Sequence, residues 1–194
     1  MALLQFKSKN GLLKVISHIN HHPSLLHILL KIICQGGFGF VDLVIDVHTK
    51  KELVLKRCNV DRIESMEIVK KEINILQRFA GPNMVELLAS DIIQKNKQSR
   101  EALLLMEYYT GGHLLDRLNM RNGVSLSQES IYRIFGQILL CVKSLHLHNP
   151  SIVHRDLKLE NILFDSVSNS MYNFHCNCCN TSLCLFVGWK SSTL

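Results

Sequence analysis

The residues best equipped for chemistry sit together in His154-Arg155-Asp156-Leu157-Lys158-Leu159-Glu160-Asn161. Moving a phosphoryl group onto a hydroxyl needs an acceptor for the hydroxyl proton, a cation beside the moving group, and an oxygen ligand for magnesium. Asp156 can be the acceptor and Lys158 the cation. Asn161 can offer a carbonyl oxygen to a hard metal ion. A polar loop with chance charges is the competing reading, and the order of eight residues weighs against it.

A second group lies upstream. Gly36-Gly37-Phe38-Gly39-Phe40-Val41 separates two β-rich runs. Glycines let backbone N–H groups approach phosphate oxygens closely. A dinucleotide fold would need a helix after this turn, and here a strand follows. Lys56 closes the apolar run Leu53-Val54-Leu55, on the strand expected to lie beside Val41. Glu72 sits next to the apolar face of an expected helix, among Ile68, Val69, Ile75 and Leu76. An unpaired carboxylate there is costly, so it calls for a cation, and Lys56 is the candidate. A surface lysine and a solvated Glu in the run Lys70-Lys71-Glu72 are the alternatives.

These residues need elements to position them. Strands are expected over 27–33, 40–47, 53–57, 86–93 and 102–106, from β-rich runs bounded by turn residues. A helix is expected over 61–79, with apolar residues at steps of three or four (Ile63, Met66, Val69, Ile73, Leu76, Phe79). A short helix over 113–119 follows Gly111-Gly112. A long one runs from Ser127 to about His146, with a capping box expected in Ser125-Leu126-Ser127-Gln128. Its apolar stripe is Ile131, Ile134, Phe135, Ile138, Leu139, Val142 and Leu145. Leu12, Leu13, Val15, Ile16 and Ile19 are compatible with a short amphipathic helix before His21-His22-Pro23.

The loop at 154–161 resembles the protein-kinase catalytic loop, H-R-D-L-x-x-x-N. Lys158, two residues after the Asp, is similar to the serine/threonine class. The resemblance extends over residues 28–165. It implies an α+β fold: an antiparallel five-stranded N-lobe with one helix, plus the start of a helical C-lobe. It implies ATP and Mg2+ as cofactors. Gly36, Gly37, Phe38, Gly39 and Val41 would cover the phosphates, although the first glycine of the usual loop falls on Cys34. Lys56 would pair with the phosphates and Glu72 would hold Lys56. Met106 would be the gatekeeper at the hinge, and the backbones of Glu107 and Tyr109 would meet adenine. Gln35 to Val41, Leu55-Lys56-Arg57, Lys71-Glu72-Ile73 and Leu105-Met106-Glu107 resemble the Numb-associated kinase family. That resemblance implies a cytoplasmic enzyme acting on protein substrates, clathrin-adaptor subunits among them.

The pattern then breaks. A kinase needs a second metal ligand, the Asp of D-F-G, about thirteen residues beyond the Asn. That position falls near Phe174, in Tyr172-Asn173-Phe174-His175, and no Asp follows Asp165. The expected organisation is an extension over 1–26, an N-lobe over 27–106, a hinge and partial C-lobe over 107–165, and an unrelated tail over 166–194. Cys176, Cys178, Cys179 and Cys184 with His175 leave three readings of that tail: a zinc site, a regulatory terminus, or a segment of unrelated origin. The chain is expected to be a kinase fragment of little activity. A non-catalytic form that binds nucleotide or a partner is the alternative.

Composition limits other classes. The chain has 194 residues, 47% hydrophobic and 20% charged, which suits a globular domain. The net charge of +6 is spread along the chain, giving a nucleic-acid partner little support. No run is apolar and long enough to span a bilayer. The scattered Cys34, Cys58 and Cys141 fit a reducing compartment rather than a disulfide framework.

Overall fold

The computed structural model describes residues 3–8, 11–17, 26–36, 39–78, 84–96, 98–154, 156–164 and 174–176. The chain divides into two compact units. One comprises residues 1–77 and 86–108, the other 78–85 and 109–194.

The first unit is built on an antiparallel sheet. Its strands are β1 (Leu3–Ser8), β2 (Gly11–Ser17), β3 (Leu26–Gly36), β4 (Gly39–Asp46), β5 (Glu52–Asn59), β6 (Leu87–Gln94) and β7 (Arg100–Glu107), in the order β1-β2-β3-β4-β5-β7-β6. The five strands from β3 to β7 are those expected of the N-lobe. The sheet has seven because β1 and β2 add a hairpin to its β3 edge. Strand β2 therefore replaces the expected helix from Leu12 to Ile16, and Ile19 lies outside the described residues. An open edge on β3 supplies backbone partners, and β-branched Val15 and Ile16 pair well there, which outweighs a weak helical period.

Strand β7 is buried from Ala102 to Met106, on both faces. Val44, Leu53, Leu55, Ile93, Leu103 and Leu105 form the core, with Leu29 and Ala89 against it. Helix α1 (Ile63–Arg78) buries Val69, Glu72, Ile75 and Leu76. The buried face is turned from the expected stripe: Ile63 is exposed, and Glu72 lies within the face rather than beside it.

In the second unit, α2 (Leu114–Asn119) and α3 (Gln128–His146) stand with a 3-10 turn (Leu159–Asn161) and the strand pair β8 (Ile162–Phe164) and β9 (Phe174–Cys176). Leu114, Ile134, Ile162 and Phe164 form its core, flanked by Leu118, Leu126 and Ile138. Ser127 caps α3 by accepting from the Ser130 N–H at 3.2 Å. The reciprocal box expected with Gln128 is absent, since Gln128 donates to the Tyr132 hydroxyl. Of the expected α3 stripe, Ile134 and Leu145 are buried, while Ile131, Phe135 and Leu139 are about half exposed. Strand β9 falls in the segment read as an unrelated tail. Its backbone pairs with the strand that follows the Asp156–Asn161 loop.

Candidate functional site

The first unit brings Lys56 and Glu72 together. Strand β5 carries Lys56 opposite Val41 on one side and opposite Leu104 of β7 on the other. The Lys56 Nζ lies 2.8 Å from Glu72 Oε1, with the side chains 14% and 9% exposed. A pair this buried requires both partners, because either charge alone would be stranded.

Strand β3 ends at Gly36 and β4 begins at Gly39, so the glycine run falls where the two strands connect. Gly36 and Gly39 are paired, as are Cys34 and Val41. Gly37 and Phe38 lie outside the described residues. Gly39 has φ +150, and a Cβ there would sit 1.8 Å from the Arg57 carbonyl oxygen. Only glycine lets β4 pass this close to β5.

Behind this turn the Arg57 guanidinium spans three elements. It lies over the Phe40 ring at 5.0 Å, its Nε is 2.7 Å from Asp42 Oδ2, and its Nη1 is 3.9 Å from Glu101 Oε1. The Arg57 Nε–H does not point along a hydrogen bond, so the contact with Asp42 is a charge pairing. Lys95 completes the group at 2.8 Å from Glu101. No motif announces an ion-pair role for Arg57, Asp42 or Glu101. Next along β5, burial pushes the Cys58 thiol up to about 11, which Lys56 partly offsets and Glu72 and Glu101 reinforce. It is an inert packing group rather than a nucleophile.

Met106 is buried near the end of β7, opposite Val54 and Leu87. Glu107 ends the strand, and its carboxylate is 2.6 Å from Lys51 Nζ. The boundary between the two units falls after Tyr108, so Met106 and Glu107 belong to the first and Tyr109, itself buried, to the second.

The second unit gathers the rest. Asn161 is 1% exposed. Its Nδ2 donates to the Asp156 backbone carbonyl at 2.7 Å and to Asp156 Oδ2 at 2.8 Å. Its backbone N–H donates to the Lys158 carbonyl at 3.0 Å. Lys158 Nζ is 3.1 Å from the same Asp156 Oδ2. Arg155 lies outside the described residues. His154 is buried, and its Nδ1 accepts from the Asp156 N–H at 3.3 Å. Burial holds the His154 imidazole below its ordinary range, partly opposed by the Asp156 charge. A neutral ring is what that acceptor role requires.

The Asn161 Oδ1 is buried with no hydrogen-bond donor among the described residues. An orphaned carboxamide oxygen next to a carboxylate fits a hard cation such as magnesium. The described part of the strand after β8 reads Phe174, His175, Cys176. Among the described residues no cluster of three or more His, Cys, Asp or Glu could hold a metal ion. Of the four tail cysteines only Cys176 is described, and only in its backbone, so the zinc reading lies outside the described residues.

One contact had no signal in the sequence. The His113 ring, at the start of α2, meets the Glu160 carbonyl in the loop beside Asn161. His113 also forms a bridge with Leu163. Next to it, Gly111 N–H donates to the Phe164 carbonyl at 2.9 Å, and a Cβ on Gly111 would sit 2.4 Å from that oxygen.

Residues 28–174 match the family described as the protein kinase domain. A probable serine/threonine-protein kinase of Dictyostelium discoideum is 38% identical over 143 residues, covering 72% of this chain and 18% of that protein. Serine/threonine-protein kinase Nek5 of Homo sapiens is 36% identical over 136 residues, covering 69% and 18%. Serine/threonine-protein kinase ppk30 of Schizosaccharomyces pombe is 33% identical over 138 residues, covering 70% and 14%. The chain thus spans less than a fifth of the length of these relatives.

Proposed function

The chain belongs to the protein kinase domain family, and from that premise we propose that its residues are arranged to transfer the γ-phosphoryl group of ATP to a serine or threonine hydroxyl of a protein. The Asp156–Asn161 pairing carries this reading. Asp156, oriented by Asn161 Nδ2 and by the His154–Asp156 bond, accepts the hydroxyl proton at its carboxylate. Lys158 places a cation beside that carboxylate and would steady the charge on the group in transit. Lys56, held by Glu72, grips the α- and β-phosphates, and the backbone from Gly36 to Gly39 covers them. Met106, Glu107 and Tyr109 receive the adenine. Magnesium, when bound, supplies charge neutralisation on the phosphates, and Asn161 Oδ1 is the atom that would hold it.

In the 194-residue chain, binding should exceed turnover. The position expected for the metal-binding Asp reads Phe174-His175-Cys176. Loss of one preorganised electrostatic group costs roughly a hundred- to thousandfold in rate. Three features support a catalytic ancestry: Lys56, Asp156 and Asn161. The missing carboxylate supports a second reading, a nucleotide- or partner-binding form without catalysis. Within the family we place the chain with the Numb-associated kinases, on the motifs around Gly36, Lys56, Glu72 and Met106. None of the three relatives described above carries that name. A cytoplasmic location and a clathrin-adaptor substrate belong to the same proposal. Among the described residues no helix is long and apolar enough to cross a membrane.

The test is transfer from γ-labelled ATP to a mixture of clathrin-adaptor subunits and a general serine-rich protein. The expected result is transfer at background despite bound nucleotide. Magnesium-dependent turnover of about 1–100 s⁻¹, lost in Asp156→Asn, would overturn the low-activity half of the proposal. Label confined to tyrosine would overturn the serine/threonine half.

A further inference from the structure

We propose that His113 is a positioning residue for the Asn161 metal ligand, holding the Glu160–Asn161 peptide so that Asn161 Oδ1 faces a bound divalent cation. The inference rests on the phosphoryl-transfer reading above.

His113 occupies the N-cap position of α2, with extended backbone (φ −84, ψ 154), yet its side chain makes no capping hydrogen bond. Residues selected to cap a helix are short and polar: Ser, Thr, Asp, Asn. Here the ring reaches away from its own helix to the Glu160 carbonyl. A carbonyl only accepts, so the ring donates from Nδ1. The His113 backbone meanwhile bridges to Leu163. The His113 side chain thus holds the chain just before Asn161, while the backbone around His113 pairs with it shortly after. Phe164 continues the grip, donating from its N–H to the Gly112 carbonyl at 3.0 Å.

What this fixes is the aim of one atom. The Asn161 backbone N–H is held by Lys158, and Nδ2 is held twice by Asp156. Oδ1 is left over, buried and without a donor among the described residues. The backbone from which it projects is anchored by His113. Removing groups that orient a metal ligand typically weakens metal affinity by about ten- to a hundredfold.

A purely structural role for His113 makes a different prediction, and His113→Ser separates the two. Serine supplies the missing cap for α2 and cannot reach Glu160. The experiment measures ATP affinity of the full 194-residue chain with Mn2+ and with EDTA, together with thermal stability. For His113→Ser we expect the Mn2+-dependent affinity to fall about tenfold or more. The EDTA affinity should stay within about twofold, and the melting temperature should hold or rise. His113→Asn places an amide N–H at the position of Nδ1 and should recover most of the loss. Unchanged Mn2+ affinity in His113→Ser would overturn the assignment. So would a parallel fall of Mn2+ affinity, EDTA affinity and melting temperature, even if His113→Asn recovers. Wild-type chain that binds ATP equally with Mn2+ and EDTA would remove the phosphoryl-transfer reading itself, and this assignment with it.

Discussion

Asn161 donates its side-chain amide twice to Asp156, once to the backbone carbonyl at 2.7 Å and once to the carboxylate at 2.8 Å. On the proposed function, the residue that would offer an oxygen to metal also orients the residue that would accept the proton. Asn161→Ala should remove both bonds at a buried site. A loss of about 1–3 kcal/mol in urea unfolding is expected, because the Asp156 acceptors are left with less than they need. A variant as stable as wild type would show that the two bonds do not hold the loop.

Lys56 and Glu72 should behave as a unit. Lys56→Met strands a buried carboxylate, with a cost of about 3–5 kcal/mol in denaturant unfolding. Adding Glu72→Leu should restore most of that stability, since two apolar groups can replace a buried pair. Nucleotide affinity should stay lost in both variants. Recovery of affinity in the double variant would remove Lys56 from the phosphate site.

Two glycines should respond in opposite directions. At Gly39 a Cβ would collide with the Arg57 carbonyl oxygen at 1.8 Å, in a backbone conformation that side chains rarely adopt. Gly39→Ala should destabilise by several kcal/mol or force β4 away from β5. Gly136 lies within α3, with nothing within 4 Å of a built Cβ. Gly136→Ala should stabilise by up to about 1 kcal/mol, as helix propensity dictates. Thermal melts of the two variants check both signs.

His154 gives the protein a dependence on acid. Its folded pKa is lowered, chiefly by burial, so the unfolded chain takes up the proton first as pH falls. Stability from this group is present above the unfolded value of about 6.5 and declines as pH drops below it, toward the lower folded value. Protonation would also remove the acceptor for the Asp156 N–H. Unfolding free energy measured from pH 7.5 to pH 5 should fall in the wild type and fall less in His154→Gln. Equal slopes would show that other groups dominate the acid response.

Much of the site could be read from residue order. The strand after the glycine turn, the lysine beside it and the helical carboxylate are linked by local spacing, and the structure sets Val41 opposite Lys56 and Lys56 against Glu72. The misreadings have physical causes. Leu12 to Ile19 carries a weak helical period, and the free edge of β3 makes a strand of its described part, which ends at Ser17. The buried face of α1 is set by the ion pair as well as by apolar spacing, which moves Glu72 into it. The bond from His113 to Glu160 joins residues 47 apart, with no motif to announce it. Strand β9 is defined by backbone pairing with β8, which a change in composition after Asp165 obscures.

Magnesium-dependent ATP binding by the 194-residue chain is the most direct test of the two central proposals, that Lys56 contacts nucleotide phosphate and that Asn161 Oδ1 holds a divalent cation. Titration calorimetry would compare wild type, Lys56→Met and Asn161→Ala, each with Mg2+ and with EDTA. The expected result has three parts. Wild type binds ATP more tightly with Mg2+. Asn161→Ala loses that difference by about ten- to a hundredfold while keeping its affinity in EDTA. Lys56→Met loses affinity under both conditions. Wild-type binding that is the same with Mg2+ and EDTA, or that is untouched by both substitutions, would contradict the account.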